Sequence, residues 1–166
     1  MTTLSLPCLR SWPGTYALIL ASSTFADVRI GKLGRLGVKP GFYVYIGSAF
    51  GPGGLKTRLA HHSQVSARPH WHVDYLRTHT SLQGVWCTYD STRREHQWAE
   101  AMARLPGASV PLLGFGSSDC TCVSHLCFFA AVPEPESFQR VLRLHRQECE
   151  HFVACSVVDQ AAWTLK

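Results

Sequence analysis

The sequence predicts an α/β fold in which a small mixed, mainly antiparallel sheet is flanked by helices. The first observation is that three β-rich segments near the N-terminus are joined by links of only a few residues. Such links are too short for the crossovers that parallel strands require. The second is that later segments carry apolar residues at helical spacing. The third is that no strand–helix unit repeats, so a doubly wound sheet is not expected.

The N-terminal strands are rich in β-branched and aromatic residues and are bounded by glycine and proline. We predict them at residues 15–21, 27–33 and 41–47. Glycines and a Pro-Gly pair mark the turn before the third strand, so we expect the three to pair as an antiparallel meander. Two further strands are predicted at residues 82–90 and 124–132.

Four segments are predicted to be helical, at residues 54–64, 69–79, 91–105 and 135–152. The first contains Leu55 and Leu59, one helical turn apart. The third opens on Ser91 or Thr92, either of which can cap a helix N-terminus. The fourth is amphipathic and gives the fold a C-terminal helix. The tail, residues 156–166, either pairs as a last strand or packs loosely.

Length and composition indicate one domain. A chain of 166 residues with 46% hydrophobic residues can bury an ordinary core. We predict a single domain over residues 12–166, with a core at 14–130 and a C-terminal helical extension at 133–166. No apolar run is long enough to span a bilayer, and no signal peptide is recognisable. We therefore expect a cytoplasmic protein without a membrane partner, whose seven cysteines are reduced thiols.

Positive charge is concentrated in the first half of the chain. Residues 1–73 contain eight Lys or Arg and a single acidic residue, Asp27, whereas the remainder is close to neutral. Most of the basic residues are Arg, whose planar guanidinium suits phosphate oxygens. This distribution is compatible with a polyanionic partner such as nucleic acid, and equally with a solvated basic surface.

The segment GFYVYIGSAFGPGGLKTRLAHH, residues 41–62, joins a strand to a glycine-rich loop and a helix. Tyr45 is placed where the strand ends, so its hydroxyl can emerge at the sheet rim. The glycines let backbone N–H groups approach a ligand, and a helix N-terminus attracts an anion. Arg58 and His62 lie on one helix face. Each residue alone has an ordinary structural explanation, but together they predict a phosphate-facing surface.

Five motifs resemble, in order, those of the GIY-YIG nuclease superfamily: GTY at residues 14–16, YIGSA at 45–49, Arg58, His62, and EHQW at 95–98. The GPGGL, HWHVDYL and GFGSSDCTCVSHL segments resemble an uncharacterised branch of that superfamily. The resemblance implies a GIY-YIG-like fold and an endonuclease that hydrolyses DNA phosphodiester bonds with one Mg²⁺ or Mn²⁺. It leaves open the strandedness of the substrate and the oligomeric state.

The resemblance also assigns the site residues. It implies that Tyr16 and Tyr45 are the catalytic tyrosines. Arg58 would bind the phosphate, with His62 one helical turn on, and Glu95 would hold the metal. We favour Tyr16 as the general base and Tyr45 as its orienting partner, with the cation or Arg58 lowering a phenol pKa that is ordinarily about 10. Eight further residues are expected to contact the substrate: Gly47, Ser48, Gly53, Gly54, Lys56, His72, Ser118 and Asp119.

The sequence departs from the superfamily pattern at several places. The first motif has Thr15 instead of isoleucine, which is expected to be harmless inside a strand. Twenty-eight residues separate Tyr16 from Tyr45, which predicts an extra strand between the two tyrosine motifs. A glycine-rich insert lengthens the turn after YIG. The chain contains no asparagine to follow the Glu95 helix, and GFGSSDCTC takes that place.

Two alternatives stay open. Cys120, Cys122 and His125 form a C-x-C-x2-H pattern, with Cys127 and the HWH histidines close by, that could hold structural zinc. Buried free thiols are the other interpretation. The chain could also be a nucleic-acid-binding module that retains the GIY-YIG fold without cleavage. All five matched catalytic positions hold reactive side chains, which favours the enzyme.

Overall fold

β1 (Gly14–Ser22) lies at the centre of a five-stranded sheet, with apolar side chains on both faces. The computed structural model describes residues 9–147 and 151–156. The other elements follow in chain order: β2 (Ala26–Ile30), β3 (Gly34–Val38), β4 (Gly41–Ala49), α1 (Gly54–His62), α2 (His72–Arg77), β5 (Ser81–Thr88), α3 (Glu95–Ala103), β6 (Leu126–Phe129), α4 (Pro135–Leu144) and β7 (Phe152–Ser156). The main sheet has the order β6-β4-β1-β5-β7, and each of these pairings is antiparallel. The predicted α/β class with a mainly antiparallel sheet and a C-terminal helix is confirmed.

The side chains of β1 alternate between two hydrophobic layers, as the two-residue period of a strand requires. Tyr16, Leu18 and Leu20 point into the first layer, which also receives α1, α2 and the β2–β3 hairpin. Ala17 and Ile19 point into the second, which receives α3 and α4. Helices therefore cover both faces of the sheet, and the tyrosines of β1 and β4 face α1.

The segment between the two tyrosine motifs forms a hairpin of its own. β2 and β3 pair antiparallel in a separate two-stranded sheet, with a turn at residues 31–33. The strand predicted at 27–33 is confirmed at residues 27–30, but it ends at Ile30 instead of Leu33. The predicted meander is wrong, because β1 pairs directly with β4. The insertion contributes two strands instead of one, and β2 packs on α2. Leu33 packs against the core from within the turn, which explains why the apolar pattern continued past the end of β2.

Several element ends also differ from prediction. β4 continues to Ala49, so Tyr45 lies inside the strand and not at its end. α3 begins at Glu95 with Arg94 as its N-cap, so neither Ser91 nor Thr92 takes that position. α2 covers only six residues, and α4 ends at Leu144.

The chain beyond residue 133 contains a strand as well as a helix. After α4, β7 pairs with β5 at the edge of the main sheet. The predicted tail at 156–166 lies almost wholly outside the described residues. No helix in the described part of the chain is long and apolar enough to cross a membrane.

Candidate functional site

A polar cavity of about 420 Å³ lies where β1 and β4 meet α1 and α3. Nine residues predicted from the sequence line it: Tyr16, Tyr45, Gly47, Ser48, Arg58, His72, Glu95, Ser118 and Asp119. They come from separate parts of the chain, so the fold brings together residues that the sequence holds up to about a hundred positions apart. Four predicted residues do not line the cavity: Gly53, Gly54, Lys56 and His62.

The two tyrosines lie side by side at the floor of the cavity. Tyr16 and Tyr45 are both nearly inaccessible, and their ring centroids are 6.4 Å apart. Gly47 faces Tyr16 across the β1–β4 ladder, and the Tyr16 hydroxyl fills the space that a Cβ would occupy there. Burial raises the pKa of both phenols well above the ordinary value, and the guanidinium of Arg58 lowers it in part. Both hydroxyls are therefore protonated in the resting site.

His62 lies behind Tyr16 and does not face the cavity. Its Nε2 is 2.8 Å from the Tyr16 hydroxyl oxygen, and its side chain is 1% exposed. The prediction that this imidazole shares a phosphate-facing surface with Arg58 is wrong. Arg58 and His62 lie on the same face of α1, but the C-terminal end of this face is buried in the core, where Leu59 also packs. Burial, followed by the nearby charge of His61, lowers the pKa of His62 to about 3, so the imidazole is neutral.

Asp74 organises the histidines of α1 from the facing helix. One of its oxygens lies 3.0 Å from Nε2 of His61 and 4.0 Å from Nδ1 of His62. The other accepts the backbone N–H groups of His70 and Trp71. The carboxylate favours a proton on Nδ1 of His62, although 4.0 Å is too long for a hydrogen bond. In that tautomer, Nε2 accepts the Tyr16 hydroxyl proton.

Arg58 is held by the walls of the cavity on two sides. One guanidinium N–H donates to the backbone carbonyl of Ser48 at 3.3 Å. The guanidinium carbon lies 4.4 Å from the centroid of the Trp71 ring, a cation–π geometry. A guanidinium has five N–H donors, so most of them are left for an anion in the cavity.

Glu95 is fixed at the first position of α3 by contacts from two other segments, β4 and the loop before β6. Its Oε2 accepts the Ser48 hydroxyl at 2.6 Å, and its Oε1 lies 3.0 Å from Nδ1 of His125. The His125 contact is close but poorly aligned, and Nδ1 has no well-directed hydrogen bond. Burial opposes ionisation of Glu95, but the His125 and Ser48 contacts outweigh it and lower its pKa. The carboxylate is therefore anionic at neutral pH.

Thr15 connects β1 to the helix that carries Glu95. It is fully buried, and its Oγ1 accepts the backbone N–H of Arg94 at 3.0 Å. The hydroxyl thus satisfies one of the free N–H groups at the N-terminus of α3. The expectation that threonine at this position is only a strand residue was incomplete, because its hydroxyl positions the start of α3.

The N-terminus of α1 is not an anion site. The N–H groups of Gly54 and Leu55 donate to the carbonyls of Gly51 and Trp12, at 3.1 and 2.9 Å. Gly54 is buried against Trp12, while Lys56 is exposed and outside the cavity lining. Gly53 and Gly54 therefore serve the turn into α1, whereas Gly51 of the same insert lines the cavity.

The long loop between α3 and β6 forms one wall of the cavity. His72 accepts the backbone N–H of Gly116 at its Nδ1, at 2.9 Å, which ties this loop to α2. Ser118 and Asp119 are exposed on the cavity rim. Their placement agrees with the predicted contact with substrate, which stays a prediction.

Sequence reasoning missed four residues of the site. Arg93 and Phe50 line the cavity and stack, with the guanidinium carbon 4.8 Å from the ring centroid. Trp71, to which the sequence analysis assigned no role in the site, holds Arg58. His125, considered only as a zinc ligand, contacts Glu95. Arg93 stands two residues before Glu95 in a basic pair, the one local signal that could have pointed to it.

Residues 15–149 match a known family, described as Domain of unknown function DUF123. The match covers most of the chain, so the chain belongs to this family. No curated protein and no solved structure gave a match.

Proposed function

We propose that this member of the DUF123 family is a metal-dependent endonuclease of the GIY-YIG type that hydrolyses DNA phosphodiester bonds. The observation that carries the proposal is the convergence of Tyr16, Tyr45, Arg58 and Glu95 on one polar cavity. A cation-binding carboxylate, a fixed guanidinium and a phenol as proton acceptor together can supply metal binding, charge stabilisation and general-base catalysis for phosphodiester hydrolysis.

The carboxylate of Glu95 fits a divalent cation. It is anionic, it lines the cavity, and its side chain is 18% exposed, so water can reach it. Mg²⁺ and Mn²⁺ prefer carboxylate oxygen and retain several waters, so one protein ligand beside an open polar cavity is sufficient. A cation bound there supplies Lewis-acid polarisation of the phosphoryl oxygen and stabilises the departing 3′ oxygen.

Tyr16 is the general base in this proposal. In the His62 tautomer that Asp74 favours, the Tyr16 hydroxyl donates to Nε2 of His62. The hydroxyl oxygen, which Arg58 also contacts, can then accept a proton from water in the cavity. As the water attacks phosphorus, its proton passes to Tyr16 and the phenol proton passes to His62. Burial disfavours the imidazolium formed in that step, and the Asp74 carboxylate near Nδ1 of His62 offsets part of that cost because it raises the imidazole pKa. Tyr16 therefore acts without first becoming a tyrosinate, in agreement with its raised pKa.

Arg58 binds the scissile phosphate. Its plane is set by Trp71 and by the Ser48 carbonyl before substrate arrives, so little reorganisation is needed when charge develops on the phosphoryl oxygens. Tyr45, beside Tyr16 on the cavity floor, orients the attacking water. The P–O bond to the 3′ oxygen breaks, and that oxygen takes a proton from solvent.

The test is cleavage of end-labelled single-stranded, duplex and branched DNA, with Mg²⁺ or Mn²⁺ and with chelator. We expect metal-dependent cleavage by the wild-type protein. Glu95→Gln should lose at least 100-fold in rate while keeping the folded circular dichroism spectrum. The control is Glu100→Gln, since Glu100 lies on the same helix but is exposed and pairs with Arg104.

Binding of DNA without cleavage under every metal condition would favour the non-catalytic binding module over the enzyme. Metal-dependent cleavage retained by folded Glu95→Gln would remove Glu95 as the cation ligand. Asp119, which lines the cavity, would then be the next candidate, whereas Glu100 does not line it.

A further inference from the structure

A second cluster of side chains lies next to Glu95, and none of its members lines the cavity. His96 of α3 and three residues of the loop before β6 meet there: Cys120, Cys122 and His125. One ligand atom from each lies within 4.8 Å of every other. We propose that these four residues bind a structural zinc ion in a Cys₂His₂ site.

The spacing of the four atoms is close to that of a zinc site. Nδ1 of His96 is 3.0 Å from Sγ of Cys122, and Nε2 of His125 is 3.4 Å from Sγ of Cys120. In a tetrahedral site with bonds of about 2.0–2.3 Å, neighbouring ligand atoms are about 3.3–3.8 Å apart. Small side-chain movements therefore suffice to enclose the ion, and no change of backbone is needed.

The ligand types select zinc and separate this site from the one at Glu95. Two thiolates and two imidazoles suit zinc, whereas Mg²⁺ and Mn²⁺ prefer oxygen. Four protein ligands leave no open position, which is the arrangement of a structural site and not a catalytic one.

The orientation of His125 supports the same assignment. Its Nε2 faces the thiols, while its Nδ1 faces Oε1 of Glu95 at 3.0 Å. Zinc-bound histidines commonly direct their other ring nitrogen to a carboxylate, and Nδ1 of His125 is placed next to one, although the present contact is poorly aligned. The side chain is 2% exposed, so its ring direction is set by packing. Cys127, near in sequence, is buried in the other hydrophobic layer and is not a member of the cluster.

Zinc would give the loop that supplies three of the ligands a second attachment, in addition to the His72–Gly116 contact with α2. Residues 104–125 connect α3 to β6 with no helix or regular strand, apart from one isolated bridge between Ser109 and Phe128. Loops of this length without regular structure are uncommon in compact domains. The same loop carries Gly116, Ser118 and Asp119 to the cavity wall. Zinc joins it to α3, close to Glu95.

The test measures metal content, so it is independent of nuclease activity. The full chain is produced without a polyhistidine tag in zinc-supplemented medium, dialysed, and analysed by inductively coupled plasma mass spectrometry. We expect about one zinc per chain in the wild type and less than a tenth of that in Cys120→Ser/Cys122→Ser. Cys155→Ser, which changes a thiol outside the cluster, should retain the zinc. Replacement by Co²⁺ should give the absorption bands of tetrahedral thiolate coordination.

A second variant, His96→Ala, removes one proposed ligand while both cysteines stay in place. His96 is exposed, so His96→Ala should fold and should release zinc at a chelator concentration at least 10-fold lower than the wild type. A wild-type protein with neither zinc nor Co²⁺–thiolate absorption would overturn the proposal. So would equal zinc retention by the double cysteine variant or by His96→Ala.

Discussion

Gly47 lies directly opposite Tyr16 in the β1–β4 ladder, and the Tyr16 ring and hydroxyl occupy the space that a Cβ at residue 47 would need. The glycine of the YIG motif is therefore required by the close approach of a tyrosine from the neighbouring strand. Its backbone needs no left-handed conformation, since Gly47 is not among the glycines with positive φ. Any side chain at 47 must displace the Tyr16 hydroxyl from His62.

Gly47→Ala should lower the cleavage rate by about 100-fold, the loss expected when a catalytic group moves by about 1 Å. The fold should persist, because alanine is compatible with an extended backbone. The rate is measured on the DNA substrate that the wild type cleaves best. Gly37→Ala is the matched control, since a Cβ there contacts nothing within 4 Å; equal losses for the two variants would contradict the steric explanation.

Thr15→Val should destabilise the protein by about 1 kcal/mol, because it leaves the part-buried N–H of Arg94 without its acceptor. The start of α3 carries Glu95, so the cleavage rate should fall as well. Urea unfolding gives the free-energy change. Thr15→Ser keeps the hydroxyl and should retain more of both the stability and the cleavage rate than Thr15→Val. A Thr15→Val protein as stable as the wild type would show that the hydrogen bond to Arg94 does not stabilise the fold.

The sheet and most of the cavity could be predicted because the signals are local. Alternating apolar residues define β1 and β4, and the four-residue spacing of Arg58 and His62 places them on one helix face. Glu95 opens a helix whose apolar stripe includes Trp98 and Met102. Such periodicity is a property of neighbouring residues and does not depend on the tertiary structure.

The relations that tertiary packing creates could not be predicted. Thr15 and Arg94 are 79 residues apart, and nothing near either residue indicates the other. The sequence predicts that Arg58 and His62 share one face of α1. Whether His62 on that face points to solvent or to the core depends on where the helix packs against the sheet. His96 has no local partner, and it meets the cysteine loop only because α3 packs beside β6.

Arg93 should contribute a phosphate contact to DNA binding, since it lines the cavity rim and is exposed. A plot of the logarithm of the binding constant against the logarithm of salt concentration should have a slope of about −0.9 per phosphate contacted on duplex DNA and about −0.7 on single strands. Arg93→Ala should weaken binding to all sequences alike and reduce that slope by about one contact. Arg140→Ala, on α4 across the sheet, should leave it unchanged. A slope near zero for the wild type would exclude a polyanionic partner.

His62 should make the stability of the protein depend on pH. Its pKa falls to about 3 in the folded chain, through burial first and then through His61, against an ordinary value of 6.5. Between these values the unfolded chain binds a proton that the folded chain does not. The contribution of neutral His62 to the free energy of unfolding is therefore complete above about pH 6.5. It is lost as pH falls towards 3, by up to about 1.4 kcal/mol per pH unit.

His62→Gln removes that titration while keeping a polar side chain next to Tyr16. The wild type should be the more stable protein at pH 7, and the difference in unfolding free energy should narrow as pH falls to 5. Urea unfolding at several pH values measures it. A constant difference across this range would mean that His62 is not held neutral by the fold.

Tyr16 and Arg58 should behave as one catalytic unit. Tyr16→Phe deletes only the hydroxyl and leaves the ring packed opposite Gly47, so it should nearly abolish cleavage while preserving the fold. Arg58→Ala should lower turnover by about 100-fold or more, as loss of a charge partner in the transition state does. Arg58→Lys should restore little of the turnover that Arg58→Ala loses. An ammonium group cannot donate to the Ser48 carbonyl, stack on Trp71 and bind the phosphate at the same time.

The combination of the two changes tests their coupling. Because groups that act in one step are not additive, Tyr16→Phe with Arg58→Ala should cost little more than the worse single change. Tyr75→Phe serves as the control, since Tyr75 lies on α2 outside the cavity lining. Single-turnover rates separate chemistry from binding. Losses that simply multiply in the double variant, or a Tyr16→Phe protein that cleaves like Tyr75→Phe, would mean that the proton leaves the attacking water by a route other than Tyr16.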